Sequence, residues 1–273
     1  MSDKKESPRV SLVTSKDVSG TDLKVISGDR SIVAVAARLK EANMLVPGSM
    51  LGQEFSDEYR RVKRPLLSNA YGKTASLVDK GNLILVTSSI PGEGKTHTAA
   101  NLALSIAQEK DHTVLLIDCD INKFGISRLF GITGKKGLVE VLENDNVNIG
   151  DVMLKTDIPE LTLVSAGKGH DYVTELLASQ RMQDIINELA TRYEDRVIIL
   201  DGPPLLPTPQ TQVLASLVGQ VAFVVEAGKT PQQLVKEALE MIPREKAIGL
   251  IMNKSEGISS RGGYYYGYYS AEK

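Results

Sequence analysis

The chain has few of the residues that stabilise small secreted proteins, and it lacks long hydrophobic runs. It contains one cysteine among 273 residues, which excludes an internal disulfide framework and agrees with a reducing compartment. No apolar run approaches the roughly 18–20 residues of a transmembrane helix. The N-terminal stretch MSDKKESPRVSLVTS has no apolar signal-peptide core. We therefore expect a cytoplasmic protein that reaches the inner membrane only through a partner.

The chain also lacks an excess of charge of either sign. Its 32 Lys and Arg residues and 34 Asp and Glu residues give a formal net charge of −2. Generic nucleic-acid binding favours basic surfaces, so we expect no nucleic-acid partner. The length suits one α/β domain of about 200 residues with extensions.

A glycine-rich turn between a strand and a helix is the most informative stretch. Residues 83–100 read LILVTSSIPGEGKTHTAA, the layout of a phosphate-binding P-loop in which Ser89 replaces the usual first glycine. Glycines let the backbone wrap closely around phosphate oxygens, and the helix N-terminus presents unpaired N–H groups to an anion. We expect ATP to be bound by Ser89, Pro91, Gly92, Glu93, Gly94, Lys95, Thr96 and His97.

Three aspartates end predicted strands. Asp118 and Asp120 follow the strand at 113–117, and Asp201 follows the strand at 196–200. The carboxyl ends of parallel strands form ligand sites, so we expect Mg²⁺ to be held by Thr96, Asp120 and Asp201. The alternative for the first two is a pair of turn-forming aspartates. Cys119, between them, should face the core.

Strands alternating with helices predict an α/β fold of the P-loop NTPase type, with a mostly parallel central sheet, helices on both faces and flexible termini. The predicted strands are 83–86, 113–117, 161–165, 196–200, 221–226 and 247–252. One predicted helix spans 31–44 and is ended by Pro47-Gly48, and another spans 53–70 and is capped by Ser56. A further helical region, 175–193, is expected to break near Ser179. Asn253 follows the last strand and either contacts the adenine base or forms a turn. The expected divisions are a polar, partly disordered extension with one helix at 1–50, a P-loop domain at 51–254 and a flexible tail at 255–273.

The tail contains five of the nine tyrosines within six positions: Tyr264, Tyr265, Tyr266, Tyr268 and Tyr269. They could be phosphoacceptors, an aromatic surface for a protein or carbohydrate, or a terminal strand. An ATP site in the same chain favours phosphoacceptors.

A charged stripe lies on the predicted helix 53–70. Glu58, Arg61 and Arg64 recur every three residues, a spacing that places them on one helix face. Such a stripe is by itself typical of a solvated surface.

Taken together, these motifs resemble the bacterial tyrosine kinases (BY-kinases) of polysaccharide synthesis and export. The resemblance covers residues 53–273 and consists of SSIPGEGKT, VLLIDCD, VIILDGPP and the tyrosine cluster. The segment EFSDEYRRVKRPLLSNAYG is similar to the subgroup found beside exosortase-type exopolysaccharide systems, in which the kinase is a separate chain.

The resemblance implies roles for several residues. Lys95, Asp118, Asp120 and Asp201 would be catalytic, with Asp118 as the base for the tyrosine hydroxyl. Glu58, Arg61 and Arg64 would join unphosphorylated subunits into a homo-oligomeric ring. A membrane chain-length-determinant, or polysaccharide copolymerase, would be the activator. ATP and Mg²⁺ would be required, and neighbouring copies would phosphorylate each other's tails.

Two other functions share parts of this pattern. A ParA/MinD-type positioning ATPase has the same fold, but its signature lysine would fall where this chain has Ile90. A non-catalytic scaffold that binds ATP and a membrane partner is the other alternative.

Overall fold

A computed structural model describes residues 23–24, 32–46, 53–192 and 195–255. The predicted helix end at Pro47-Gly48 and the tyrosine cluster lie outside these ranges. Among the described residues, no helix combines the length and the apolar character needed to cross a membrane.

The described strands are β1 (Leu23–Lys24), β2 (Ile32–Val33), β3 (Leu83–Ser88), β4 (Thr113–Asp118), β5 (Leu154–Lys155), β6 (Leu161–Val164), β7 (Arg196–Asp201), β8 (Gln220–Glu226) and β9 (Ala247–Asn253). Seven of them form one sheet in the order β5-β6-β4-β7-β3-β8-β9. All neighbours in it are parallel except β5, which runs antiparallel to β6. β1 and β2 pair separately. The six predicted strands and the mostly parallel sheet are confirmed.

Helices cover both faces of the sheet. They are α1 (Ala36–Glu41), α2 (Gln53–Tyr71), α3 (Lys95–Ile106), α4 (Gly125–Leu129), α5 (Leu138–Glu143), α6 (Ile149–Val152), α7 (Val173–Leu177), α8 (Gln180–Arg192), α9 (Gln210–Leu217) and α10 (Gln232–Glu240), with a short 3₁₀ turn at Ala75–Leu77. Alternate residues of a strand face opposite sides, and the core divides accordingly. Leu83 and Leu85 pack with helices α5 to α10, whereas Ile84 and Val86 pack with α1 to α4.

The predicted helix at 31–44 is wrong at its start. Ile32 and Val33 form a short strand, and the helix spans only Ala36–Glu41. The carboxylate of Asp157 accepts hydrogen bonds from the N–H groups of Val35 and Ala36, at 2.8 and 3.1 Å for one oxygen, and so starts the helix there. This partner is 121 residues away from Ala36 in the sequence and could not be read from local periodicity.

The N-terminal segment is also more tightly packed than a polar extension would be. Residues 32–46 contribute Val33, Leu39 and Met44 to the same core as α3 and the sheet. The packed unit therefore begins before the expected boundary at residue 51. Ser56 does not cap α2, because that helix already includes Gln53.

Some connecting elements were not predicted. They are β5, α4 and α6, each of two to five residues, too short to show a clear hydrophobic period. The predicted break near Ser179 is confirmed, because α7 ends at Leu177 and α8 begins at Gln180.

Candidate active site

The loop between β3 and α3 wraps tightly because two of its glycines adopt positive φ. Gly92 and Gly94 both have φ of 94°, a conformation that glycine adopts without a steric penalty. A Cβ at Gly94 would lie 2.0 Å from Nδ2 of Asn253. Any other residue at position 94 would therefore be strained by the positive φ and would displace the Asn253 amide.

The side chain of Glu93 braces this loop from behind. It is buried and accepts hydrogen bonds from the N–H of Ile90 at 2.8 Å and the hydroxyl of Thr230 at 2.6 Å. Its carboxylate is thus committed to protein partners. We therefore expect Glu93 to contact ATP through its main chain.

Residues after β9 hold the same loop. Asn253 donates from Nδ2 to the Glu93 carbonyl at 2.8 Å, and Lys254 donates to the Gly92 carbonyl at 2.6 Å and pairs with Glu226 at 3.2 Å. Asn253 therefore contacts the P-loop itself, and its adenine contact stays a prediction. The bracing by Lys254, Glu226 and Thr230 has no local sequence signal.

Lys95 points into the site and forms an ion pair with Asp120. Its Nζ lies 3.3 Å from Oδ2 of Asp120, and both side chains are almost fully buried. The other oxygen of Asp120 accepts a hydrogen bond from the N–H of Lys123 at 3.1 Å. The pair holds the lysine at the loop, where a phosphate would compete for its charge.

Asp201 is a buried carboxyl group that lacks a hydrogen-bond partner among the described residues. It is fully buried, and neither carboxylate oxygen accepts a hydrogen bond within the part of the chain that the structure describes. Burial raises the pKa of Asp201 to about 8, against an opposing effect of Lys95 and with a further rise from Asp118. A buried carboxylate without donors is costly unless a cation compensates it.

The surroundings of Asp201 fit Mg²⁺. A Cβ placed on Gly125 would lie 2.8 Å from Oγ1 of Thr96 and 3.4 Å from Oδ2 of Asp201. The hydroxyl and the carboxylate therefore converge on one small region, and both offer the oxygen ligands that Mg²⁺ prefers. Within the described ranges, no group of three or more His, Cys, Asp or Glu side chains could hold a metal. Mg²⁺ would then bind with the help of water and nucleotide oxygens, as is usual for this ion.

Asp118 is held by a hydrogen-bond network that the sequence did not reveal. One oxygen accepts bonds from the N–H and hydroxyl of Ser127, at 2.8 and 2.7 Å. The Ser127 hydroxyl in turn accepts from the N–H of Ala166 at 3.1 Å and lies 3.2 Å from the Ser165 hydroxyl. Burial raises the pKa of Asp118 to about 6, although the bonds from Ser127 oppose that rise. The side chain of Asp118 is thus held in one position, and it is a stronger base than a free aspartate.

The remaining predicted residues lie around the loop or on the surface. Ser89 is buried, and its hydroxyl lacks a hydrogen-bond partner among the described residues, whereas Pro91 is exposed. His97 is exposed and lies 3.1 Å from Nδ2 of Asn101 through its Nδ1. Cys119 is buried in the core as expected, and burial raises its pKa.

The charged stripe of α2 is solvent-exposed. Glu58, Arg61 and Arg64 all lie on the surface, and the ion pairs found among the described residues do not include them. Their charges are therefore available to another molecule.

The fold and the loop define a nucleotide-binding P-loop protein. A family model described as an AAA domain matches residues 81–239, which includes β3, the loop and the strands that carry the three aspartates. Nucleotide binding follows from this class of fold, for which Mg²⁺ is typical.

Similar proteins narrow the class to one family. The tyrosine-protein kinase YwqD of Bacillus subtilis is 30% identical over 213 residues, which cover 77% of this chain and 86% of YwqD. The succinoglycan biosynthesis transport protein ExoP of Rhizobium meliloti is 31% identical over 181 residues, covering 65% of this chain and 23% of ExoP. The crystal structure of the VpsO kinase domain is 32% identical with a TM-score of 0.58, covering 72% of this chain and 99% of that domain. The chain belongs to the bacterial tyrosine-protein kinase family and is a protein-tyrosine kinase of the P-loop type.

Proposed function

We propose that the protein transfers the γ-phosphoryl group of ATP to tyrosine hydroxyls in its own C-terminal cluster, mainly on a neighbouring copy. The observation that supports this most is the convergence of Lys95, Thr96 and three buried aspartates behind one P-loop. The acceptors would be Tyr264, Tyr265, Tyr266, Tyr268 and Tyr269, which lie outside the described residues.

Each side chain of the site has a distinct part in this transfer. Lys95 and the loop N–H groups would stabilise negative charge on the phosphoryl group as it moves. When Mg²⁺ is bound by Thr96, Asp120 and Asp201, it supplies further charge neutralisation. Asp118 would accept the proton of the attacking tyrosine, whose own pKa near 10 disfavours the anion.

A ring of subunits would present each tail to the neighbouring site. The exposed stripe of Glu58, Arg61 and Arg64 would form the contacts between copies. Each phosphate adds about −1.5 to −2 charges, so a fully modified tail would gain roughly −8 to −10 in charge. We propose that this charge dissolves the ring. Equal assembly masses in solution for the unmodified and phosphorylated proteins would contradict this step.

The pathway we propose is exopolysaccharide polymerisation and export. The similarity to ExoP, a succinoglycan biosynthesis transport protein, supports this placement. The protein would be cytoplasmic and would lie peripheral to the inner membrane, activated by a membrane chain-length-determinant, or copolymerase, protein.

Incubation of the purified protein with Mg-ATP, followed by detection of phosphotyrosine, tests the proposed activity. We expect phosphotyrosine on the wild type and none on Lys95→Met. ATP hydrolysis without phosphotyrosine would instead favour a positioning ATPase, and nucleotide binding without either product would favour a scaffold.

A further inference from the structure

Strand β9 forms an open edge of the sheet. Among the described strands it pairs only with β8, and its sequence, AIGLIMN, contains no charge or proline. The N–H of Ala247 donates to the Gly219 carbonyl of the β8 side. By the alternation of a strand, the main-chain groups of Ile248, Leu250 and Met252 face outward. Proteins normally protect such edges.

The same three residues also expose apolar side chains. Ile248, Leu250 and Met252 are 41%, 57% and 61% exposed. Their parallel neighbours on β8 are Val221, Phe223 and Val225, which are buried in the core. Among the described residues, the core face of the sheet therefore continues onto β9 as an exposed apolar stripe.

The opposite face of β9 borders a groove. Its volume is about 320 Å³, and it lies between α2 and the strands β8 and β9. Arg61, Val62, Gly249 and Ile251 are among the residues that line it. An added strand would thus find apolar surface on both of its faces.

We propose that residues 264–269 of the same chain bind along β9 as an antiparallel strand when they are unphosphorylated and are not engaged by the site of a neighbouring copy. Chain connectivity selects this segment, because the described chain ends at Ser255, two residues beyond β9. Residues 254–263 include Gly257, Gly262 and Gly263, which allow the chain to reverse. A tether of this length gives an effective concentration of about millimolar, an advantage that a second copy or another protein lacks.

The spacing of the tyrosines matches the spacing of the exposed apolar side chains on β9. In an extended strand, alternate residues share a face, so Tyr264, Tyr266 and Tyr268 form one set of three. In antiparallel register they would cover Met252, Leu250 and Ile248, respectively. Tyr265 and Tyr269 would then face the groove near Arg61, where an aromatic ring can lie against a guanidinium group. Tyrosine is also favoured in strands.

The bound strand would withhold the cluster from phosphoryl transfer. A phosphate on Tyr264, Tyr266 or Tyr268 would place about two negative charges on apolar surface, so phosphorylation would keep the segment released. This consequence rests on the proposed kinase function, whereas the docking itself does not.

Hydrogen exchange of the β9 amides tests the docking. The sample is the phosphatase-treated full chain without nucleotide, at two concentrations tenfold apart. We expect Tyr266→Ser/Tyr268→Ser to raise the exchange rate of the outward amides of 247–253 by about tenfold or more. The matched variant Tyr265→Ser/Tyr269→Ser removes as many tyrosines and should raise it by less than about threefold. Equal exchange in all three proteins overturns the proposal, and so does protection that grows with concentration, because a second copy would then be the occupant.

Disulfide formation tests the register. The native Cys119 is buried, so two introduced cysteines can be followed alone. Leu250→Cys with Tyr266→Cys should form an intramolecular disulfide about tenfold faster than Leu250→Cys with Tyr265→Cys. Equal rates, or mainly intermolecular disulfides, would contradict the proposal. A protein that shows docking but no phosphotyrosine would refute the proposed function while leaving the docking intact.

Discussion

Two regions of the same sheet differ in which of their groups lack a partner among the described residues. At the centre, the carboxyl ends of β3, β4 and β7 bury charges, with Asp118 and Asp201 opposite one another in the ladder. At the outer edge, β9 exposes apolar side chains and main-chain groups. Among the described residues, the first region has a buried carboxyl group, that of Asp201, without a hydrogen-bond partner, and the second has apolar side chains that remain exposed.

The difference indicates what each region binds. A buried carboxylate without donors, such as Asp201, is favourable only when a cation arrives. An uncovered apolar strand is favourable only when another strand or an apolar surface covers it. The centre therefore suits a charged, polar ligand, and the edge suits a polypeptide. Substitutions at each region should have separable effects.

The largest expected effect follows removal of the charge of Lys95. Lys95→Met should lower the rate of phosphotyrosine formation by about 10²–10³-fold or more, because it removes the charge closest to the loop. The initial rate with Mg-ATP measures this. Lys110→Met serves as the control, since Lys110 is exposed and follows the end of α3 that is remote from the loop. A Lys95→Met protein with a normal rate would show that this region is not the transfer site.

The next largest effect is expected at Gly125. Gly125→Ala would push a methyl group against Thr96 and Asp201, so the gain in ADP affinity on adding Mg²⁺ should fall by about 10–100-fold. ADP titrations with and without Mg²⁺ measure this gain. The control is Gly150→Ala, where an added Cβ meets no atom within 4 Å. An unchanged gain would place Mg²⁺ elsewhere.

A smaller effect concerns stability and pH in metal-free, nucleotide-free protein. Because the pKa of Asp201 is raised to about 8 on folding, the folded state holds this proton more tightly than the unfolded state does. The contribution of Asp201 to the free energy of unfolding should therefore fall as pH rises from about 4 to about 8. Asp201→Asn should flatten this dependence and stabilise the protein at pH 8 by at least about 2 kcal/mol.

Urea unfolding in EDTA between pH 5 and pH 8.5 measures this change. Asp145→Asn, at an exposed turn, is the control and should leave the dependence on pH as it is in the wild type. A parallel dependence in wild type and Asp201→Asn would contradict the cost of burying this charge.

The smallest effect on nucleotide binding is expected at the outer edge. Leu250→Ser changes an exposed position of β9, so the binding free energy of Mg-ADP should change by less than about 0.5 kcal/mol. Calorimetry measures it. A loss comparable with that of Gly125→Ala would show that the two regions are not separable.

The sequence was most informative where function depends on short local patterns. The strand ends that carry Asp118, Asp120 and Asp201, and the loop around Lys95, could be placed because apolar strands and glycines mark them directly. The places of this loop and of these strand ends along the chain also indicate the order of strands and helices expected for a P-loop fold.

The parts that could not be predicted depend on contacts between distant segments. Ser127 binds Asp118 only after α4 folds back on the strand end. Thr230 reaches Glu93 across 137 residues, and Asp157 starts α1 although it lies 122 residues after Val35 in the sequence. The local hydrophobic periodicity of the sequence gives no signal for contacts between segments so far apart in the chain.

Phosphoryl transfer between copies is the central claim, and intact mass spectrometry tests it most directly. A chain with all five tail tyrosines changed to Phe would serve as the enzyme, and the Lys95→Met chain, which keeps its tyrosines, as the acceptor, with Mg-ATP present. We predict that the acceptor gains up to five phosphates, all on Tyr264, Tyr265, Tyr266, Tyr268 and Tyr269. An acceptor whose mass stays unchanged while the wild-type chain phosphorylates itself would contradict transfer between copies, and phosphate confined to other residues would contradict the assigned acceptors.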